Sequence, residues 1–273
     1  MTQEIKRVIV QLDAASETGT AIDTAARLAA RWRVSLHGVF IEDQELIGLA
    51  GLPFARQVTL GAGLVPLTKE HVEEHLRAFA ERVRRDLAAA ADRHDVKWSF
   101  EIVRGPLTPG TLGGEHDFVV AGAESRPIGG HFRIASRSWS WMTVIARPFL
   151  LAKREWETGG SVLTLLRRRD AQSARTLDIA AQIAGFRGGT LTVAGAPGLA
   201  GSEDFTAWVL ELLEGHSLSL QSEPAATEPA ALRQRINELD CRLLVLEAGE
   251  QDGQPDQLRE LVEQLACDVL IIH

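Results

Sequence analysis

The sequence predicts an α/β protein built from two tandem units, each a five-stranded parallel sheet with helices on its faces. Three observations carry this. The chain is 273 residues long, enough for two domains of ordinary size. It repeats: the stretch containing VIVQLD can be laid without gaps over the one containing VLTLLRRRD, with Val8 on Leu163, Asp23 on Asp178 and Ala29 on Ala184. Each copy reads as strand, loop, amphipathic helix, strand, which is a βαβ unit with a right-handed crossover and parallel strands.

The elements follow in order. In the first helix Ile22, Ala25, Ala29 and Trp32 recur at three- and four-residue steps, and Leu177, Ala180 and Ala184 repeat the first three positions. The second strand of half one leads into an apolar, glycine-rich connection from Glu45 to Leu67, long enough to suggest a lid or interface segment. A long helix follows, with Val72, Leu76, Phe79, Val83 and Leu87 on one stripe and Thr68 as its N-cap. WSFEIV, HDFVVAG and RPFLLA read as the remaining strands of half one; SLSLQS, CRLLVLE and CDVLIIH are their counterparts in half two. The boundary falls in KREWETGG, giving domains 1–153 and 160–273.

Half one lacks an element that half two keeps. GPLTPGTLGGEHD, residues 105–117, is too rich in proline and glycine for a helix, whereas PAALRQRINELD places Leu232, Ile236 and Leu239 on one helical face. One sheet face of half one then needs another cover, and the apolar Leu49, Leu52 and Phe54 of the long connection are candidates, as is a partner chain.

Composition narrows function. With 45% hydrophobic and 24% charged residues the chain reads as globular, and no apolar run nears the ~20 residues of a membrane span. The N-terminus enters a strand at once, with no signal-peptide pattern, so a cytoplasmic location is expected. A net charge of −8 argues against nucleic acid as a partner. That imbalance lies wholly in residues 160–273, which carry 9 Lys+Arg against 17 Asp+Glu. Cys241 and Cys267 are too few for a metal motif and are expected as thiols. HVEEH, from His71 to His75, has the H-x-x-E-H spacing of a zinc site, but no third ligand is evident and no metal is assigned. RSWSW (137–141) reads as packing aromatics and RRRD (167–170) as a loop at the end of a strand, open to anions. No nucleophile–base set can be assembled, so the chain is read as no enzyme.

The informative loop is GAESRPIGGHFRIAS, from Gly122 to Ser136, which leaves a buried strand rich in glycine and positive charge. Bare backbone N–H groups in such loops hold phosphates. Two five-stranded parallel units joined by a short linker resemble the universal stress protein family, whose fold is adenine nucleotide alpha hydrolase-like and Rossmann-like. The resemblance sharpens at Asp13, where the family has an aspartate that contacts the adenine of bound ATP. It sharpens again at the loop, where ATP-binding members carry G-x2-G-x9-G-[S/T]. Counted from Gly122, the second glycine is Ser125, the third Ala135 and the terminal hydroxyl Ser136, with Gly129 and Gly130 offering shifted flexibility. The resemblance thus implies a degenerate ATP site of Asp13, Gly122, Ser125, Gly129, Gly130 and Ser136. In half two Arg168 falls on Asp13 and Glu247 on Gly122, so at most one nucleotide per chain is expected. The family's dimers form through the last strand, and the apolar RPFLLA and CDVLIIH suit the same pairing within one chain, an intramolecular pseudo-dimer that leaves a further homodimer open. Three functions remain: a stress-linked, nucleotide-binding regulator; a nucleotide-free module with an unknown protein partner; an ATP-hydrolysing enzyme.

Overall fold

The computed structural model describes residues 4–273 except 43, 51, 53–55, 60–62, 105–113, 115, 124–146, 197, 200–201, 217–218, 226–227 and 249–254. Half one runs β1 (Arg7–Leu12), α1 (Thr18–Trp32), β2 (Ser35–Glu42), α2 (Gln44–Ala50), β3 (Arg56–Thr59), β4 (Gly63–Pro66), α3 (Lys69–Arg93), β5 (Trp98–Arg104), β6 (Asp117–Gly122) and β7 (Phe149–Ala152). Half two runs β8 (Ser161–Leu166), α4 (Ala171–Arg187), β9 (Thr190–Gly195), α5 (Glu203–Leu212), β10 (Ser219–Pro224), α6 (Pro229–Glu238), β11 (Cys241–Glu247), α7 (Pro255–Gln264) and β12 (Asp268–Ile272).

Ten strands form one sheet in the order β10-β9-β8-β11-β12-β7-β6-β1-β2-β5. Within each half the order is third, second, first, fourth, fifth strand, and all pairs are parallel. The halves meet where the last strands pair antiparallel, Leu150 opposite Leu270. That is the pairing expected of RPFLLA and CDVLIIH. Both strands are buried throughout, because in the middle of a sheet covered on both faces every side chain meets protein.

Alternation along the strands splits the core in two. Val8, Val10 and Leu12 face α1 and α3, with Leu36, Phe40, Phe118 and Val120, and Val162, Leu191 and Leu243 continue that layer under α4 and α5. Ile9, Val39, Val119, Leu163, Leu244 and Val269 face the other way, where α6 and α7 supply Leu232, Ile236 and Val262, and Leu265 follows just after α7. On α3, Val72, Leu76, Val83 and Leu87 are buried as the sequence stripe requires, and the Thr68 hydroxyl accepts a bond from the His71 N–H.

Two expectations are corrected. Val8 and Val162 lie on one side of the sheet and Leu163 on the other, and the strand registers pair Arg7 with Ser35 and Ser161 with Thr190. Val8 therefore corresponds to Val162, not Leu163, while the helices keep the original alignment of Ala29 with Ala184. Half two has one extra residue in the intervening loop, so Asp13 corresponds to Arg167 and not Arg168. The second correction concerns the long connection. It contains α2 and a β3–β4 hairpin, and Ile47 and Ala50 pack into the layer of α1 and α3, opposite to the face that α6 covers in half two. Leu52 is 39% exposed, while Phe54 and the Leu49 side chain lie outside the described residues. Ile9, Val39, Ile41, Val119 and Ala121, which look toward the α6-type side of half one, are buried all the same.

Candidate functional site

In a doubly wound sheet a ligand crevice opens at the C-terminal ends of the strands where the order reverses. Here that point lies between β1 and β6 in half one and between β8 and β11 in half two. Gln11 pairs with Ala121, so Asp13 and Gly122 leave neighbouring strands side by side. These two predicted site residues are thus brought together. Ser125, Gly129, Gly130 and Ser136, with Arg126, His131, Arg133 and the RSWSW segment, lie outside the described residues.

Asp13 closes a tight local turn. Its Oδ1 accepts from the Ala15 N–H at 2.8 Å and from the Ser16 hydroxyl at 2.9 Å. Burial pushes this carboxyl above its usual range, against the hydrogen bonds from Ser16, Ala15 and Gln11 that favour the charged form. Gln11 is 1% exposed and was not singled out from the sequence. Its signal was present: one polar residue inside the apolar run VIVQLD, whose burial needs a polar partner.

The turn is then tied to β6, since the Glu17 N–H donates to the Ala123 carbonyl at 2.9 Å. A Cβ on Gly122 would stand 2.2 Å from the Glu17 carbonyl oxygen. Glycine is therefore required here by backbone passing over backbone, a constraint separate from any phosphate. Helix α1 begins at once, and Glu17 gives it no side-chain cap. Beside the crevice, Glu42 at the end of β2 is buried against Arg104 at the end of β5, a charged pair that the sequence did not single out.

Half two is built differently at the same place. Glu247 occupies the position of Gly122, and its Oε2 accepts from the Arg167 N–H at 3.1 Å. Burial raises this carboxyl as well. Asp170 caps α4 by accepting from the Ser173 N–H at 2.9 Å, and Arg168 pairs with Asp170 at 3.1 Å. The Gln172 amide donates to the Ala248 carbonyl at 2.9 Å. RRRD is thus spent on internal bonds at its ends.

His71 and His75 lie on the exposed face of α3 with ring centroids 4.9 Å apart. Among the described residues no group of three His, Cys, Asp or Glu side chains could hold a metal ion, and no helix is long and apolar enough to cross a membrane.

No protein-family model and no curated protein matches the sequence. Solved structures do resemble the fold. A universal stress protein from Archaeoglobus fulgidus DSM 4304 aligns over 99% of this chain and 97% of its own, with a TM-score of 0.66 and 12% identity. A functionally unknown protein from Pseudomonas aeruginosa PAO1 aligns over 99% and 93%, with a TM-score of 0.61 and 18% identity. The chain therefore has the universal stress protein fold, carried as two five-stranded halves in one polypeptide.

Proposed function

We propose that the chain is a cytoplasmic stress-response regulator that binds one adenine nucleotide, in half one, and catalyses no reaction on it. The observation that supports this is the contrast at the two switch points. Half one presents a carboxylate from the end of β1 and a bare glycine at the end of β6, whereas half two fills the glycine position with the Glu247 side chain. Asp13 accepts from Ala15, Ser16 and Gln11, and a carboxylate is the acceptor type that an adenine amino group or a ribose hydroxyl requires. The N-terminus of α1, without a side-chain cap, favours negative charge nearby. Half two acts as the structural partner that completes the sheet.

Calorimetric titration with ATP, with and without Mg²⁺, tests the reading. One site per chain is expected, weakened about tenfold or more by Asp13→Ala, since a lost charge-assisted bond costs about 1.5–3 kcal/mol. Two equivalent sites, or binding indifferent to Asp13→Ala, would refute it. No binding would favour the nucleotide-free module, and phosphate release on incubation with ATP would favour the enzyme.

A further inference from the structure

The proposed nucleotide site leaves the two cysteines unused. β11 carries an irregularity between Cys241 and Leu243: Ser161 pairs with Cys241, but the next residue, Val162, already pairs with Leu243. The extra residue, Arg242, shifts Cys241 to the other side of the strand. In a regular strand Cys241 and Leu243, two residues apart, would share a face; the irregularity instead leaves Leu243 in the α4 layer and puts Cys241 in the α6 and α7 layer, which also holds Cys267. Leu243 on β11 pairs with Asp268 on β12, and just ahead of this first pair Cys241 and Cys267 meet side chain to side chain within the α6 and α7 layer. Such strands are about 4.8 Å apart, inside the roughly 4.4–6.8 Å Cα separation a disulfide accepts.

The surroundings distinguish the two thiols. Lys153 reaches over the end of α7, donating from Nζ to the Leu265 carbonyl at 2.9 Å and to that of Val262. Its charge lies beside Cys267, with Asp268 opposing it. Contact with the Cys241 sulfur, with Lys153 assisting, holds the Cys267 thiol below its ordinary range despite burial, while Cys241, whose S–H donates to the Leu243 carbonyl at 3.2 Å, is raised by the same contact and by burial. One sulfur is prepared as thiolate and its neighbour as the resolving thiol. Both are free and nearly enclosed, at 4% and 1% exposure, so only a small oxidant reaches them.

We infer that Cys241 and Cys267 form a reversible intrachain disulfide on exposure to a hydroperoxide, making half two responsive to oxidants independently of nucleotide. The Cys267 thiolate attacks the terminal peroxide oxygen, the O–O bond breaks, and the leaving oxygen takes up the proton lost from the thiol. The Cys241 thiol then attacks the sulfenic sulfur; the S–S bond forms, the S–O bond breaks, and oxygen leaves as water with the Cys241 proton. With hydrogen peroxide, two thiols and one peroxide give one disulfide and two waters.

The test is intact-mass spectrometry of the native, full chain treated with hydrogen peroxide. A loss of about 2 Da is expected, with disappearance of both titratable thiols, a linked peptide pair holding Cys241 and Cys267, and full reversal by dithiothreitol. Cys241→Ser should let hydrogen peroxide add about 16 Da at Cys267, the mass of a sulfenic acid, and Cys267→Ser should slow oxidation of Cys241 at least tenfold. An unchanged mass, oxidation seen only in urea, or a disulfide between two chains would each overturn the inference, and none of these readings depends on either variant folding.

Discussion

The first helices of the two halves occupy the same place and end in the same way, yet their last residues do opposite work. Trp32 closes α1 with an apolar contact, its ring 4.9 Å from that of Phe118, and donates across to the Gln182 side chain of half two at 2.6 Å. The equivalent Arg187 closes α4 with a charge, pairing with Asp268 at 2.8 Å where the two side chains are 3% and 1% exposed. Asp268 also accepts from the Lys153 and Arg154 N–H groups, so this ion pair fastens the linker between the halves. The switch points differ in a related way. Both bury a carboxylate, but Asp13 comes from the first strand while Gly122 on the fourth passes close under the Glu17 backbone, whereas in half two the fourth strand itself supplies the carboxylate, Glu247. A repeat can keep its backbone while each copy spends the same positions on different needs.

The comparison breaks most readily at Arg187. Arg187→Leu strands Asp268 and should cost about 3–5 kcal/mol in urea unfolding, whereas Trp32→Leu strands no charge and should cost about 1–2 kcal/mol. Equal losses would show that the buried pair is no lock. Next comes Gly122→Val, which drives a side chain into the Glu17 backbone and should cost about 1–3 kcal/mol while abolishing nucleotide binding. The reverse change, Glu247→Gly, removes one hydrogen bond and should cost only about 1 kcal/mol, read in the same titration. If Gly122→Val is as stable as the parent chain, the close approach is not real.

The third contrast is in pH. Glu247 has a folded-state pKa above its unfolded value, so its ionised form opposes folding above the folded pKa, and this penalty is gone below the unfolded pKa of about 4.3. Glu247→Gln should therefore be more stable than the parent chain in alkaline buffer, with the advantage vanishing by about pH 4. Asp13→Asn should behave with the same sign. Thermal melts across pH check both, and an advantage that grows on acidification would contradict the buried state of either carboxyl. The smallest effect is expected at the helix ends, where Arg33 and Gly188 both take left-handed backbone angles, φ 58° and 66°. Arg33→Gly should gain up to about 1 kcal/mol, and Gly188→Ala should lose a similar amount.

The helix faces were legible because an amphipathic helix shows its period only one way. Ile22, Ala25 and Ala29 are buried where the repeat places them, as are Leu177, Ala180 and Ala184. The first strands were not, because SVLTLL is buried on both faces and alternation cannot fix its register, so a one-residue slip went unnoticed. Strands β3 and β4 span four residues each, too short for a periodic signal. At the site, Asp13 and Gly122 were legible by position, but the reason for Gly122 was not. It depends on the path of Glu17, which is 105 residues earlier in the chain.

The antiparallel seam between β7 and β12 has a consequence for stoichiometry. Two separate five-stranded chains joined in this way would dissociate on dilution, and each would have to be a competent partner for its copy. One polypeptide holds its halves at an effective concentration of roughly millimolar, whatever the amount of protein. Assembly then no longer requires the two faces to remain alike, and a glutamate can settle in a crevice that identical subunits would have to keep open in both copies or lose in both.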